Sequence, residues 1–302
     1  MLGILRFLRD NVYSNRVKLD DNYVELGAGV SGGVVTAIDG GSCIISDGGC
    51  WIVSKIKIAS VRYDAGKRVS NSCFKRDFYY SIVKKGSNFI HSLPDVKPFF
   101  NVRELGEVPA IIMRLMEFRT ALNLLDSLPR GSILLIDGLL EAETPEQEAV
   151  IRELEFKSKT LGINVLGVAK TFRHAIDGQS VIGALIKAKP DMKWCYRPVK
   201  GSSNFVVKLH ERARFAYAIS SFNHTDMSVV LPVLVFYSRD PGLIGYPYPL
   251  LRVDADARIS GFEKKLEENK LRITCKKEKF DFVDFDTRST SMHSIMDSQK
   301  YR

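Results

Sequence analysis

Several features common in other protein classes are missing from this 302-residue sequence. No run of 18 or more apolar residues occurs, so we predict no transmembrane helix. The first apolar run is too short for a secretory signal, and no small-residue cleavage site follows it. We therefore expect a cytoplasmic protein without a membrane partner. The five cysteines are odd in number and lack CxxC spacing, which argues against a disulfide framework and against a zinc knuckle.

The sequence is also short of acidic residues relative to basic ones, with 35 Asp and Glu against 44 Lys and Arg. The net charge of +9 and the pI of about 9.2 fit a polyanionic partner, because phosphate contacts dominate nucleic-acid affinity. Many ordinary proteins are basic too, so the charge alone leaves the partner open. A composition that is 45% apolar and 26% charged excludes intrinsic disorder of the whole chain.

Neither an internal repeat nor a break in composition divides the chain. We expect a single domain at residues 1–286, in which residues 1–30 form a helical or irregular lead-in. The polar, serine-rich stretch at 287–302 predicts a disordered tail.

The first regular segment predicts an antiparallel meander. The β-branched run Val34–Ile38 is typical of a buried strand that ends at Asp39. Asp-Gly pairs follow at Asp39 and again at Asp47, and an alternating segment runs from there to Tyr63. Three strands joined by Asp-Gly turns are the simplest arrangement.

The middle of the chain predicts one βαβ unit after a helix that spans residues 108–125. The run 133–136 is apolar and ends at Asp137. A capping box with proline at the first helical position begins a helix at Thr144, and a third strand ends at Lys170. The βαβ crossover makes the two strands parallel, so Asp137 and Lys170 share the carboxyl edge of the sheet, where α/β proteins bind ligands.

The last part of the chain has weaker signals. They predict strands at 204–209, 214–219 and 229–237, a stiff proline-containing loop at 241–250 and a closing helix at 250–266.

Acidic residues follow the predicted strands in a pattern that suggests a metal site. Asp39 and Asp137 each come after a buried strand, and Glu117 lies on the helix between them. Carboxylates that converge repel each other, so they normally imply a bound divalent metal. Oxygen ligands suit Mg²⁺ or Mn²⁺, and two such ions are the usual device for hydrolysing a phosphodiester.

Each acid also has a simpler interpretation. Asp39 and Asp137 could each belong to an Asp-Gly turn, as we expect for Asp47. Glu117 could merely pair with Arg114 three residues earlier on the helix.

The other candidates are a cation and two aromatic residues. Lys170 could contact a phosphate or balance the charge of the acids, although a strand often ends in a solvated lysine. Tyr246 and Tyr248 alternate with prolines and could stack on bases, guide the strand or position the final helix. A packed loop is the alternative for both tyrosines.

Five short segments, taken in their order along the chain, resemble the NurA nuclease family over about residues 30–265. They are Ala37-Ile38-Asp39-Gly40, Arg114-Leu115-Met116-Glu117, Leu135-Ile136-Asp137-Gly138, Gly167-Val168-Ala169-Lys170-Thr171 and Gly245-Tyr246-Pro247-Tyr248-Pro249-Leu250.

The resemblance implies an α/β fold with an RNase H-like core, in which helices flank a mixed five-stranded sheet. It also implies a manganese-dependent DNA nuclease that acts as a 5′–3′ exonuclease and single-strand endonuclease. Such nucleases form homodimers and work with a hexameric HerA-type ATPase in DNA end resection at double-strand breaks.

The resemblance further implies four site residues. Asp39, Glu117 and Asp137 match the first three acids of the family, and Asp254 stands where the last acid or histidine opens the final helix. The family often has histidine at that place, and Asp256 is close enough to compete for the assignment.

The resulting hypothesis is a two-metal DNA nuclease with Mn²⁺, or Mg²⁺, held by these four acids. Asp39 and Asp137 would hold both metals, while Glu117 and Asp254 would each complete the ligands of one. A catalytically inactive DNA-binding adaptor that docks on a translocase ATPase is the main alternative. An RNA-directed nuclease would need the same acids, so the residues leave DNA or RNA open.

Overall fold

The computed structural model describes residues 23–85, 88–92, 104–170, 175–176, 179–198 and 202–279. The predicted tail at 287–302 and the first 22 residues of the predicted lead-in lie outside these ranges. The rest of the lead-in is partly extended, since residues 23–25 form a strand. No helix among the described residues is long and apolar enough to cross a membrane.

The described strands and helices alternate in blocks along the chain. The strands are β1 Tyr23–Glu25, β2 Val34–Asp47, β3 Trp51–Asp64, β4 Lys67–Arg68, β5 Phe74–Lys85, β6 Asn88–His91, β7 Ile133–Asp137, β8 Asn164–Ala169, β9 Ala175–Ile176, β10 Gln179–Ser180, β11 Trp194–Tyr196, β12 Asn204–Lys208 and β13 Tyr217–Ser221. The α-helices are α1 Val108–Leu124, α2 Pro145–Leu161, α3 Val181–Ala188, α4 Met227–Tyr237, α5 Tyr248–Ala257 and α6 Gly261–Lys277.

Eleven of these strands form one mixed sheet in the order β1-β11-β12-β13-β8-β7-β2-β3-β5-β6, with β4 paired to β3. Its centre is β5-β3-β2-β7-β8, in which β2, β3 and β5 pair antiparallel while β2, β7 and β8 pair parallel. This confirms the α/β, RNase H-like mixed sheet of a meander joined to a βαβ unit. The sheet is wider than the five strands expected, because β13, β12, β11 and β1 extend it beyond β8.

The βαβ unit forms where the local signals predict it. The Thr144 hydroxyl accepts a hydrogen bond from the Gln147 backbone N–H at 3.2 Å, which caps α2. Gly162 ends the helix with a φ of +66°, a conformation that glycine adopts without strain.

The two largest of three apolar clusters among the described residues lie on opposite faces of the sheet. Helices α1 and α2 cover one face, with Ile112 and Phe118 packed among Ile38 and Ile136. Helices α4 and α5 cover the other face and pack against side chains such as Ala37. The alternation of side chains along each strand separates these two sets of residues.

The predicted turn at Asp39 is wrong. Strand β2 continues through Asp39 to Asp47, and the turn comes only there, where the Gly49 N–H donates to the Asp47 carboxylate at 2.9 Å. Gly40 and Gly41 serve close packing instead of a turn. A Cβ at Gly40 would lie 2.8 Å from the Glu117 Oε1, and one at Gly41 would overlap the carbonyl oxygen of Ala257.

We expect Gly41→Ala to lower the free energy of unfolding by about 1–3 kcal/mol, the usual cost of overpacking. The added methyl group would push the end of α5 away from β2. Urea denaturation measures the change. Gly261→Ala is the matched control, because no atom lies near its added Cβ. Equal midpoints for the two variants would contradict the packing role of Gly41.

Two predictions about the last third of the chain are also wrong. Residues 229–237 form a helix instead of a strand, since α4 is apolar on nearly every side and Asp226 caps its start. The single closing helix at 250–266 is two helices, because the Ser260 hydroxyl accepts from the Glu263 N–H and starts α6 anew.

Candidate metal centre

Parallel pairing of β2 with β7 brings Asp39 and Asp137 to the same level. The register places Ile38 opposite Ile136, so each aspartate is the next residue along its own strand. Asp39 is two residues beyond Ala37 and therefore points to the face that α5 covers. The aspartates thus meet through strand register, although Asp39 does not end its strand.

Asp254 joins this pair from α5. The Lys170 ammonium group lies 3.0 Å from the Asp137 Oδ2 and 2.5 Å from the Asp254 Oδ1. The Arg258 guanidinium also contacts Asp254, at 3.0 Å. Asp137 and Lys170 therefore lie at the same edge of the sheet, as the βαβ unit predicts.

The three aspartates fit a hard divalent cation. Asp39, Asp137 and Asp254 each offer a carboxylate oxygen, and these oxygens all lie within 4.8 Å of one another. An oxygen-only donor set of this kind suits Mg²⁺ or Mn²⁺ better than Zn²⁺.

Asp256, the competing residue for the last position, is not part of this group. It contacts Lys75 at 2.8 Å on another side of α5. The geometry thus separates the two aspartates that the sequence leaves ambiguous.

Glu117 reaches the same region from the opposite face of the sheet. It is 2% exposed, on the helix that packs against Ile38, and it approaches β2 over Gly40. Asp39, Glu117 and Asp137 line one open pocket. Asp39 and Asp137 therefore stand between Glu117 on one side and Asp254 on the other.

Arg114 makes several contacts in this region that the sequence does not predict. Its guanidinium pairs with the Glu117 Oε2 at 2.7 Å, as the simpler interpretation of Glu117 expects. It also donates to the backbone carbonyls of Asp137 and Leu139 and lies over the Phe118 ring. Arg114 thus ties α1 to the loop that carries Asp137. No spacing in the sequence signals these backbone contacts.

Burial and mutual repulsion make the acids costly to ionise together. Burial, and then the charges of Asp137 and Glu117, raise the pKa of Asp39 to about 8. Burial also raises the pKa of Glu117 to about 7, although Arg114 opposes the shift. Burial acts in the same direction on Asp254, but the contacts with Lys170 and Arg258 outweigh it and leave the pKa of Asp254 below its usual value.

The two tyrosines pack inside the protein. Tyr246 is 1% exposed, and its hydroxyl faces the Asp137 Oδ1 at 3.4 Å. Tyr248 is half-buried and packs edge-on against Tyr63. The buried Tyr246 ring is out of reach of a stacking base in this structure. These contacts fit the packed-loop alternative, and they also fit the interpretation in which the segment positions the final helix.

Comparisons with known proteins show a likeness in structure. No protein-family model matches the sequence, and no curated protein sequence matches it. The crystal structure of the NurA nuclease from Sulfolobus solfataricus is similar, with a TM-score of 0.57 and 16% identity over 92% of this chain and 93% of that one. Another NurA crystal structure has a TM-score of 0.52 and 9% identity over 86% and 92% of the two chains. At such identities the likeness concerns the fold, and this chain has the fold of the NurA nucleases.

Proposed function

We propose that this protein is a divalent-metal-dependent DNA nuclease. The observation that carries the proposal is the meeting of Asp39, Asp137 and Asp254 within 4.8 Å, in a chain with the NurA fold. The excess of basic residues suits a DNA partner. Three carboxylates so close together need positive charge, and Lys170 and Arg258 supply two cations, both of which contact Asp254.

The placement of the acids supports a two-metal arrangement. Asp39 and Asp137 lie centrally, so both could be shared between two ions. Glu117 and Asp254 approach from opposite sides and could each complete the ligands of one ion. When bound, the ions would lower the pKa of an attacking water and stabilise charge on the leaving oxygen.

The remaining groups have supporting roles in this proposal. Lys170 lies at the exposed side of the aspartates, where it can contact a substrate phosphate once metal neutralises its present partners. The Tyr246 hydroxyl helps to orient Asp137. The protein supplies no side-chain nucleophile in this scheme, because water is the attacking group.

We extend the proposal by analogy with the NurA fold. The protein would act in the cytoplasm as a single domain over residues 1–286, as a 5′–3′ exonuclease and single-strand endonuclease that uses Mn²⁺. It would work as a homodimer with a hexameric HerA-type ATPase in DNA end resection. The analogy in fold supports these finer points.

A melting experiment with and without Mn²⁺ tests the metal site. An ion that binds only the folded state stabilises it by about 2.7 kcal/mol at a hundredfold excess over its Kd. We expect Mn²⁺ to raise the melting temperature of the wild-type protein and to have little effect on Asp39→Asn. An unchanged wild-type melting temperature at millimolar Mn²⁺ would refute the metal site.

One observation favours the inactive adaptor as a second candidate. Lys170 already bridges Asp137 and Asp254, so the charge of the three aspartates is partly neutralised without any ion. An adaptor would bind DNA, show no Mn²⁺-dependent stabilisation and cleave no substrate. The melting experiment therefore separates the two functions.

A further inference from the structure

A second group of charged side chains lies on another side of α5. The Asp256 carboxylate contacts three cations, which come from β4, β5 and α5 itself. Its oxygens lie 2.8 Å from the Lys75 ammonium, 3.4 Å from the Arg68 guanidinium and 3.8 Å from the Arg252 guanidinium. We call these four residues the Asp256 cluster.

The charge of this cluster is unbalanced. Three cations face one carboxylate, which leaves two positive charges without an anion among the described residues. The neighbouring cluster around the buried Lys55 is balanced, with three cations and three anions: Lys55, Lys57, Lys270, Asp77, Glu263 and Glu267. That cluster fastens α6 to the sheet. Fastening α5 alone would not need three cations around Asp256.

The cations of the Asp256 cluster contact a buried carboxylate and are still accessible. Asp256 is 8% exposed, whereas Arg68, Lys75 and Arg252 are 38%, 56% and 43% exposed. A buried carboxylate that holds long side chains in place reduces the entropy they lose on binding a ligand. Their outward N–H groups can then take a phosphate, which guanidinium groups bind with two parallel hydrogen bonds.

The cluster and the proposed metal site share one helix. Asp254 and Asp256 are two residues apart on α5, so their side chains point about 200° apart around the helix axis. A polynucleotide strand with one phosphate at Asp254 can therefore cross α5 and present a later phosphate to the cluster.

We propose that the Asp256 cluster binds the phosphodiester backbone of the same DNA strand that enters the metal site. The identity of the bound strand rests on the proposed nuclease function. The contact itself rests on the geometry and charge of the Asp256 cluster. The surface supplies affinity without base specificity, because its donors contact phosphates.

Binding of a fluorescein-labelled single-stranded 20-mer, measured by anisotropy in EDTA at several salt concentrations, tests the proposal. We expect Lys75→Gln/Arg252→Gln to weaken binding at least tenfold at low salt. The slope of log K against log salt should fall by about 1.4, as expected for two lost phosphate contacts on a single strand. EDTA prevents cleavage, so the result does not depend on catalysis.

The matched control is Arg152→Gln/Lys159→Gln, which removes the same charge from exposed positions of α2 on the opposite face. Equal loss of affinity in both double variants would overturn the proposal, since only net charge would matter. Lys75→Gln alone, at the most exposed of the three cations, serves if the double variant does not fold. A wild-type protein that binds DNA through the cluster but cleaves nothing with Mn²⁺ would refute the nuclease function and support this surface.

Discussion

Asp137→Asn should reduce DNA cleavage by at least about 10³-fold, beyond the 10–100-fold typical of residues that only support a metal ligand. Asparagine keeps the shape of the side chain but removes the charge that a cation needs. It also removes the Asp137 charge, which adds to burial in raising the pKa of Asp39, while the hydrogen bond from Lys170 loses its ionic character. We therefore expect a folded protein with a melting temperature close to that of the wild type.

End-labelled single- and double-stranded DNA, incubated with Mn²⁺ or Mg²⁺, provides the measurement. Asp126→Asn is the matched control, because Asp126 is an exposed aspartate that pairs with Lys157 and is not one of the three clustered aspartates. Cleavage by that variant should equal the wild-type rate. Full activity of Asp137→Asn, with Asp126→Asn also active, would show that the catalytic acids lie elsewhere.

Arg114→Ala should lower the free energy of unfolding by about 3 kcal/mol, the cost of leaving one partner of a buried ion pair alone. Glu117 would keep its burial and lose its cation. The carbonyls of Asp137 and Leu139 would lose their donor as well. Because the loop after β7 would then be less constrained, cleavage should fall too.

Urea denaturation of three variants tests this role of Arg114. Arg114→Lys should recover only part of the stability, since an ammonium group cannot span the carboxylate and both carbonyls. Arg152→Ala breaks an exposed pair with Glu148 and should cost well under about 1 kcal/mol. A loss for Arg114→Ala as small as for Arg152→Ala would mean that Arg114 is only a surface partner of Glu117.

Local signals in the sequence predict the centre of the fold well. The capping box at Thr144 and the glycine at 162 set the limits of α2. They do so because the backbone N–H and C=O groups at a helix end lack partners within the helix. The apolar runs at 34–38 and 133–136 are too short for buried helices and form strands. From these elements alone the βαβ unit follows, and with it the shared edge of Asp137 and Lys170.

Local signals fail where one pattern suits two structures. The run 229–237 is β-branched and apolar, which is typical of a buried strand, yet a helix buried on nearly all sides needs the same composition. Asp39-Gly40 has the composition of a turn, but here the glycine makes room for Glu117 against a continuous strand. Only the neighbouring elements distinguish these possibilities.

The sequence by itself determined the acid residues, the excess of positive charge and most of the central strands, because composition and short-range periodicity depend on nearby residues. Tertiary structure alone decided that Asp39 and Asp137 lie level, that Asp254 joins them while Asp256 faces cations, and that Glu117 approaches from the other face. These outcomes depend on strand register and helix packing between residues as many as 215 positions apart, from Asp39 to Asp254, and no local pattern encodes such pairings.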